Sequence, residues 1–557
     1  MIEDRLTNLL RDALELASRE LGLQDDRPVI ELTRSRQKEH GDFSTNVALV
    51  LAGRVGRPPR EVAEVLVRHL PEDELVARAE VAGPGFVNLF LRERWLHDVL
   101  REVVARGPTF GRAEPTGRSV QVEHVSANPT GPLHIGHARN AVIGDAIASV
   151  MEAAGWRVER EYYFNDAGRQ MDLFGASVEA RYLELLGRPA EVPDDGYHGS
   201  YVIDLARGIL ETFGEALADL PPEERRARLL HEGAARMLGM IKATLERFGV
   251  RFDAYFSERT LHDSGEIAEA VRRLREAGYA YDHEGAVFFR ATAFGDDKDR
   301  VLIRSNGAPT YFAADCAYLI DKFSRGFDRL IYVWGADHHG DVLRVKGAAR
   351  ALGYDPDAVE IVLYQWVSLT RGGEAVGMSK RAGTFLTLDE LIDEVGTDAL
   401  RFTLLLRSND APLEVDLEEV KRRSMDNPVF YVQYGYARIS SILRHASARG
   451  VALRPIHEVD LSVLDHETEV DLLGGIAELP GRVSEAAELR APHRLTHYAQ
   501  DLAARFHRFY TECRVVTDDD ARTQARLWLC AAARQAIANV LALLGVSAPE
   551  SMERVDA

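Results

Sequence analysis

Two histidines three residues apart, His134 and His137, stand where a predicted strand gives way to a predicted helix. Side chains at this spacing share one face of a helix, and the N–H groups at a helix N-terminus favour phosphate. Gly136 lets a ligand approach the backbone closely. An isolated pair of this kind would suggest a surface or metal-binding pair. The surrounding strand-turn-helix string SANPTGPLHIGHARN instead favours a phosphate site.

A second candidate is Lys380, in the segment Gly377-Met378-Ser379-Lys380-Arg381. A lysine can stabilise the negative charge that builds up during phosphoryl or nucleotidyl transfer. It is one of seven lysines in the chain, and Gly372 and Gly373 before it could give a loop the flexibility to close on a substrate. A lone Ser-Lys-Arg would indicate a solvated turn, but its position about 240 residues after His134 and beyond a predicted strand favours a function.

The elements that must position these residues change in character along the chain. Residues 1–104 suggest a small mixed unit, and the Gly- and Pro-rich stretch 105–119 suggests a linker. Strand, turn and helix follow from Ser119, as at the start of a nucleotide-binding α/β unit. Further strands are predicted at 301–305, 329–335 and 358–369, and a charged helical insertion at about 170–295. From about 396 onward the pattern predicts helices alone.

Composition narrows the class of protein. The 557 residues have an ordinary globular composition, no apolar run of the length that a membrane helix needs, and three widely separated cysteines. We therefore expect a cytoplasmic protein without membrane contact and without a disulfide framework or tightly bound metal. The net charge of −20 by itself argues against a nucleic-acid partner.

The motifs resemble those of the class I aminoacyl-tRNA synthetases, and more narrowly those of the arginyl-tRNA synthetases. The resemblance spans nearly the whole chain and rests on EHVSANPTGPLHIGH from Glu123, GMSKR from Gly377, GTDALRFTLL from Gly396, and GDFSTNVAL and GPGFVNLFL near the N-terminus. Gly377 stands where the family's first loop lysine is expected, and Arg381 could replace part of that charge. The resemblance implies that ATP, L-arginine and the tRNA for arginine give arginyl-tRNA, AMP and pyrophosphate through an arginyl-adenylate.

The fold implied is a multidomain α/β chain. We expect a small α+β N-terminal domain at 1–108 that binds the tRNA elbow and a Rossmann-type parallel-sheet catalytic domain at 119–395 with the helical insertion. An all-α anticodon-binding bundle is expected at 396–557. The family likeness implies ATP carried with Mg²⁺ as the substrate, a monomer, and tRNA, arginine and ATP as partners.

The resemblance also assigns roles to residues. His134, His137 and Lys380 are implied as catalytic. ATP binding is implied for those three and for Gly136, His338, Met378 and Ser379. Arginine binding is implied for Glu123, Asn128, Tyr311, Asp315 and Asp337, since carboxylates match the planar guanidinium fork. Taken singly, Glu123 could be a salt-bridged surface residue on a strand, Asp315 a capping or solvent-facing acid, and Asp337 with His338 and His339 part of a metal site.

Contacts with tRNA are implied at both ends of the chain, where aromatic and basic residues alternate. The candidates are Phe86, Asn88, Tyr434, Arg438, Arg505 and Arg508. Core packing is the alternative for the aromatic residues. Three rival functions stay open here: a class I synthetase for another amino acid, a non-catalytic tRNA-binding paralogue, and a small-molecule adenylyltransferase. The residues Asn165, Asp166, Gln170, Tyr197 and Tyr201 receive no role.

Overall fold

The N-terminal unit is a four-stranded antiparallel sheet covered by helices. The structure is a computed structural model that describes residues 2–23, 28–35, 38–92, 94–166, 168–376 and 386–552. Within these residues the strand order is β1-β2-β4-β3. The bounds are α1 (Ile2–Leu21), β1 (Leu32–Arg34), β2 (Phe43–Thr45), α2 (Val47–Val55), α3 (Pro59–His69), β3 (Val76–Ala82), β4 (Phe86–Leu91) and α4 (Arg94–Arg106).

The helices of this unit form where the sequence is amphipathic. Leu6, Leu10 and Leu14 of α1 recur at helical spacing and are buried, and α1 packs against α3. Pro59 begins α3 because a first-turn residue needs no N–H donor. The last helix, α4, occupies the start of the predicted linker, and Asn539 donates to the carbonyls of Gly107 and Phe110 just after it. The segment is therefore tied to the C-terminal bundle, and the linker prediction for it was wrong at this end.

The central unit contains a parallel sheet with the described strand order β12-β11-β5-β6-β7. Its first part comprises β5 (Ser119–Glu123), α5 (Ile135–Ala153), β6 (Arg157–Phe164), α6 (Arg169–Leu185), α7 (Ser200–Phe213), α8 (Pro222–Arg247), β7 (Ala254–Ser257), α9 (Glu258–Asp263) and α10 (Glu266–Glu276). Every residue of β5 is buried, as in a strand covered by helices on both faces. The Rossmann-type parallel sheet is confirmed.

The second part of this unit adds small antiparallel sheets to the parallel one. Its elements are β8 (Ala280–His283), β9 (Ala286–Phe289), β10 (Arg300–Ile303), α11 (Tyr311–Ser324), β11 (Arg329–Gly335), α12 (Val342–Ala351), β12 (Val359–Tyr364), β13 (Val367–Arg371) and β14 (Glu374–Ala375). β8, β9 and β10 form an antiparallel sheet of their own.

Three strand predictions need correction. The run at 301–305 does form a strand, but β10 pairs with β9 and not with the parallel sheet. The predicted insertion at 170–295 is not helical throughout, because β7 returns to the edge of the parallel sheet beside β6 and the hairpin of β8 and β9 follows α9 and α10. The strand predicted at 358–369 is two strands, since β12 ends at Tyr364 and β13 begins at Val367.

The C-terminal part is helical apart from one short strand. It comprises α13 (Leu388–Val395), α14 (Thr397–Leu404), β15 (Leu413–Asp416), α15 (Leu417–Val420), α16 (Pro428–Ala448), α17 (Glu467–Ala477), α18 (Leu479–Glu488), α19 (His493–Glu512) and α20 (Asp520–Leu543). The strand β15 pairs in parallel with β13, so the expectation of helices alone from 396 was wrong at this point.

Arg401 in α14 ties the bundle to the central unit. Its side chain is fully buried, and it donates to the carboxylate of Asp145 in α5 at 2.5 Å and to the carbonyls of Phe248 and Leu544 at 2.9 and 3.1 Å. A buried guanidinium needs such partners to offset its desolvation. One side chain thus connects α5, the end of α8 and the end of α20.

Candidate active site

The main cavity lies at the carboxyl ends of β5 and β11, where the strand order reverses. Chain order runs outward from β5 through β6 and β7 on one side and through β11 and β12 on the other. Ligands of open α/β sheets bind at such a switch point. The cavity has a volume of about 770 Å³, and its lining includes Glu123, His134, His137 and Asp315.

The two histidines begin α5 in a reciprocal cap. The ring Nδ1 of His134 accepts from the N–H of Gly136 at 3.1 Å, and the ring Nδ1 of His137 accepts from the N–H of His134 at 3.2 Å. A neutral imidazole that accepts at Nδ1 carries its proton on Nε2. The two rings, 3.9 Å apart between centroids, are therefore fixed in the tautomer that donates from Nε2.

The backbone between β5 and the histidines is strained. Val125 and Ser126 both have a positive φ, of 65° and 42°, and this conformation is unusual for a β-branched residue. Asn140 of α5 holds the turn: it accepts from the N–H of Val125 at 2.6 Å and donates to the carbonyl of Val333 at 2.9 Å. The motif analysis missed Asn140, although it stands three residues after His137.

Arg139 was also missed, and it holds the chain at the break between β12 and β13. Its buried guanidinium donates to the carbonyl of Gln365 at 2.7 Å and lies 3.4 Å from that of Trp366. It also donates to the carbonyls of Ser408 and Ala411, at 3.1 and 2.9 Å. The guanidinium thus fixes the two residues at which the chain passes from the parallel sheet to the sheet of β13 and β15.

One wall of the cavity is acidic. Tyr311 and Asp315 occupy successive turns of α11 and both line the cavity, with Asp337 after β11. The carboxyl group of Asp315 keeps contact with the water of the cavity. Enclosure by the protein, reinforced by the negative charges of Glu258 and Glu123, nevertheless raises the pKa of Asp315 to about 7.

Glu123 lies deeper, in an ion pair that the sequence did not reveal. Its Oε2 accepts from Nζ of Lys322 at 2.6 Å, and its Oε1 accepts from the hydroxyl of Ser126 at 3.1 Å. Lys322 is 1% exposed, and its Nζ lies 4.2 and 3.9 Å from the ring centroids of Tyr318 and Tyr332. Glu123 is thus both a salt-bridged residue and a wall of the cavity.

Asn128 lies beside the cavity and outside its lining. Its amide donates to Gln170 at 2.8 Å and accepts from the N–H of Asn165 at 3.2 Å. Tyr201 donates to the carbonyl of Thr130 at 2.9 Å and so supports the turn before His134. These contacts give structural roles to Asn165, Gln170 and Tyr201, to which the sequence assigned no role. The carboxylate of Asp166 accepts from the hydroxyl of Ser257 and from the N–H of Arg259 at the start of α9. The N–H of Tyr197 donates to the hydroxyl oxygen of Ser177 at 2.9 Å.

The remaining predicted ATP contacts divide into two groups. Gly136 and His338 line the cavity, and the ring of His338 lies 3.3 Å from the carboxylate of Asp341. Met378, Ser379 and Lys380 lie outside the described residues. On the C-terminal side of these residues, Thr387 forms a β-bridge with His134, while on the N-terminal side the N–H of Val376 donates to the carbonyl of Leu369.

The tRNA candidates lie far along the chain from the cavity residues and differ in exposure. Phe86 is 39% exposed at the start of β4, whereas Asn88 is 5% exposed in the interior of the N-terminal sheet. Phe86 and Asn88 lie on the same face of β4, but Asn88 is flanked by Ser44 of β2 and Glu80 of β3, and its contact with a base stays a prediction.

Tyr434 and Arg438 line a groove of about 870 Å³ together with Arg444, Arg449, Tyr510 and Arg514. The guanidinium of Arg438 donates to the hydroxyl of Tyr434 at 2.7 Å and lies 5.0 Å from the ring centroid of Tyr510. Arg505 instead contacts Asp471, Glu478 and Asp501, and Arg508 contacts Asp471 at 2.9 Å. The structure therefore separates the four residues into a basic groove and an acid-paired surface.

The part of the chain that the structure describes contains neither a metal-binding cluster nor a membrane-spanning helix. No group of three or more histidine, cysteine or acidic side chains there is arranged to hold a metal ion. The helices described are all too short or too polar to cross a bilayer.

Three family models match the chain in succession. They are the arginyl tRNA synthetase N-terminal domain at residues 4–91, the catalytic domain of class I (R) tRNA synthetases at 99–421, and the DALR anticodon binding domain at 432–552.

Relatives and solved structures match over the full length. The arginine–tRNA ligase of Carboxydothermus hydrogenoformans is 47% identical over 551 residues, which are 98% of this chain and 99% of the relative. That of Syntrophotalea carbinolica is 50% identical over 99% of this chain and 100% of the relative. The solved Thermus thermophilus arginyl-tRNA synthetase has a TM-score of 0.78 at 26% identity, with 99% of this chain and 100% of that chain covered.

Proposed function

The chain belongs to the arginyl-tRNA synthetases, and from this we propose which of its residues carry out the reaction. The enzyme is an arginine–tRNA ligase, which joins arginine to its tRNA with ATP through an arginyl-adenylate. The observation that carries the residue-level proposal is the single cavity in which the histidine pair of α5 faces an acidic wall.

His134 and His137 act on the phosphates of ATP. When the arginine carboxylate attacks the α-phosphorus, the bond to the bridging oxygen breaks, pyrophosphate leaves, and negative charge builds on the phosphoryl oxygens. Preorganised N–H donors stabilise that charge without rearranging during the reaction. The Nε2–H groups that the cap imposes supply two such donors. Gly136 keeps the helix N-terminus open to the phosphates, and His338 contacts the nucleotide from across the cavity.

Asp315, Asp337 and Tyr311 recognise arginine. A guanidinium group carries five donors in one plane, and two carboxylates that meet it from different directions discriminate against the single ammonium of lysine. Glu123 contributes negative charge below them, while its ion pair with Lys322 fixes where that charge lies. We assign Asn128 to positioning, because its amide holds Gln170 and the backbone of Asn165.

Lys380, with Met378 and Ser379, is proposed to contact the phosphates of ATP. The proposal rests on the family motif and on the β-bridge between Thr387, which follows the motif, and His134. Lys380 would stabilise the charge on the leaving pyrophosphate as a point charge.

The tRNA contacts are proposed at the exposed Phe86 and in the groove at Tyr434 and Arg438. Single-stranded bases stack on aromatic rings while arginines meet the phosphates. Arg505 and Arg508 are proposed as structural, because acidic partners already neutralise them. From the family resemblance we propose an N-terminal domain at 1–108, a catalytic domain at 119–395 and an anticodon-binding domain at 396–557. We also propose that Mg²⁺ arrives on the ATP phosphates, and that the enzyme works as a cytoplasmic monomer.

Pyrophosphate exchange with each of the twenty amino acids, with and without total tRNA, tests the function. We expect exchange with arginine alone, and only when tRNA is present. The Lys380→Ala variant should slow exchange by orders of magnitude with little change in the arginine KM. Exchange with another amino acid would contradict the specificity, and unchanged turnover of the variant would remove Lys380 from the mechanism.

A further inference from the structure

Trp366 stands between β12 and β13, and its side chain both lines the main cavity and is 70% exposed. Leaving an indole in water forgoes the favourable burial of a large apolar surface. Isolated exposed apolar residues are common and need no explanation. An exposed indole at the rim of a ligand cavity is different, because a planar ligand could cover it.

The backbone that carries this indole is fixed. Its carbonyl accepts from the N–H of Leu413 at 3.1 Å and lies 3.4 Å from Nη1 of the buried Arg139. The preceding Gln365 donates its N–H to the carbonyl of Asn409 at 2.9 Å and accepts from Arg139 at 2.7 Å. A platform held in this way needs little ordering when a ligand binds.

The same contacts set the indole beside the phosphate-binding turn. Arg139 follows His137 by two residues in α5, so one helix holds both the histidines and the backbone of Trp366. Tyr364, two residues before Trp366, lies with its hydroxyl 3.4 Å from the carbonyl oxygen of Gly136. A ligand whose phosphates meet the histidines therefore has Tyr364 and Trp366 as neighbours.

We propose that Trp366 stacks on the adenine ring of ATP. An uncharged aromatic face fits a planar heterocycle, whereas the acidic wall formed by Asp315 and Asp337 fits the guanidinium of arginine. This proposal rests on the proposed function of the cavity. It divides the cavity into an aromatic end for the base, the histidine turn for the phosphates and an acidic wall for the amino acid.

Tryptophan fluorescence of the full-length enzyme titrated with Mg-ATP tests the stacking. The chain has five tryptophans, and Trp334 also lines the cavity, so a variant must isolate the signal. We expect ATP to quench the wild-type emission and Trp366→Phe to remove most of that quenching. The matched control is Trp528→Phe, since Trp528 lies in α20 and donates to the carbonyl of Arg454. It should leave the quenching unchanged.

The kinetics of pyrophosphate exchange with tRNA present give a second test of the stacking. Trp366→Ala should raise the ATP KM roughly tenfold, the scale of one lost base–aromatic stack, and leave the KM values for arginine and tRNA unchanged. Trp366→Phe should fall between wild type and Trp366→Ala. Quenching that persists in Trp366→Phe, or an unchanged ATP KM in Trp366→Ala, would overturn the proposal. A raised tRNA KM alone would assign the indole to the 3′-terminal base of tRNA and also overturn it.

Exchange by the wild-type enzyme distinguishes a failure of the proposed function from a failure of the stacking proposal. Failure of arginine-dependent exchange in the wild type would contradict the proposed function whatever the variants do. Normal wild-type exchange with unaltered Trp366→Ala kinetics would contradict the stacking alone.

Discussion

Nζ of Lys322 lies 2.6 Å from Oε2 of Glu123, and both side chains are buried, with Glu123 in the lining of the cavity that holds Asp315 and Asp337. The pair belongs to a larger network, because Tyr318 and Arg325 both donate to the buried Glu161 on the neighbouring strand β6. Breaking one member of a buried pair leaves an uncompensated charge. The network therefore sets where the charge of Glu123 can lie.

Replacing Lys322 by methionine should destabilise the enzyme and weaken arginine binding. Removing one partner of a buried ion pair costs about 3–5 kcal/mol, since the other charge stays in a poorly solvated site. We expect a lower midpoint of thermal inactivation and a higher arginine KM, with kcat reduced far less. Circular dichroism melting and exchange kinetics measure the two effects.

Two further variants serve as controls for the effects of Lys322→Met on stability and arginine binding. Lys242→Met removes a lysine whose Nζ lies 3.8 Å from the ring centroid of Tyr255, away from Glu123, and should leave the arginine KM unchanged. The double variant Lys322→Met with Glu123→Gln should recover part of the lost thermal stability, because no unpaired charge is left. A melting midpoint of Lys322→Met equal to that of wild type would contradict the role of the pair.

Arginine binding should depend on the ionisation of Asp315. The pKa of Asp315 is raised to about 7 in the unliganded cavity, and only the ionised carboxylate attracts a guanidinium. The arginine KM should therefore be high at pH 6 and fall as the pH rises through 7. Asp315→Asn should have a higher arginine KM that no longer changes over this range.

The control for this pH dependence is Asp282→Asn, at an exposed carboxylate paired with Arg275 on the surface. It should keep the wild-type profile. A flat wild-type profile between pH 6 and 8, or an unchanged profile in Asp315→Asn, would remove Asp315 from guanidinium recognition.

His134 caps α5 and is proposed as a catalytic donor, and two substitutions should separate these roles. Asparagine at an N-cap can replace the acceptor but not the Nε2–H donor. His134→Asn should keep the wild-type melting midpoint and lose roughly 10²–10³-fold in the activation rate, as for one lost donor to developing charge. His134→Ala should lose the same rate and, in addition, about 1 kcal/mol of stability.

Single-turnover formation of arginyl-adenylate measures the rate, and differential scanning calorimetry measures the melting. An active His134→Asn enzyme would show that capping alone explains the residue.

The two surfaces of the C-terminal bundle should respond differently to loss of an arginine. Arg438→Ala removes a cation from the aromatic groove and should raise the tRNA KM and reduce its dependence on salt. Arg505→Ala removes a cation already paired with three acidic side chains, so it should change the tRNA KM little and lower the melting midpoint. Aminoacylation kinetics at two salt concentrations distinguish the results, and equal effects would contradict the separation.

The histidine motif could be read from the sequence because it is local. A strand, a glycine-containing turn and a helix with two histidines specify a helix cap and its ligand within a few residues of chain. The parallel sheet was predictable for the same reason, since β5 and β11 are apolar runs of strand length.

Long-range partners explain where the sequence misled. Nothing near Gln365 and Trp366 in the chain indicates a strand break, because Arg139, which fixes the backbone there, lies more than two hundred residues earlier. The strand at 300–303 could not be assigned to a sheet without its partner β9. Asn88 and Phe86 are two residues apart, and only the folded structure shows that Phe86 is exposed while Asn88 is buried.

The sequence by itself determined the chemistry of the enzyme: two histidines at a helix start, a lysine-bearing segment, and acids of the kind that a guanidinium requires. Tertiary structure alone decided which acid is open to a ligand and which is held by Lys322. Ionisation and access depend on every group packed nearby in space, and those groups come from strands and helices that are distant in the chain. A residue's type is local, whereas its electrostatic surroundings exist only once the chain has folded.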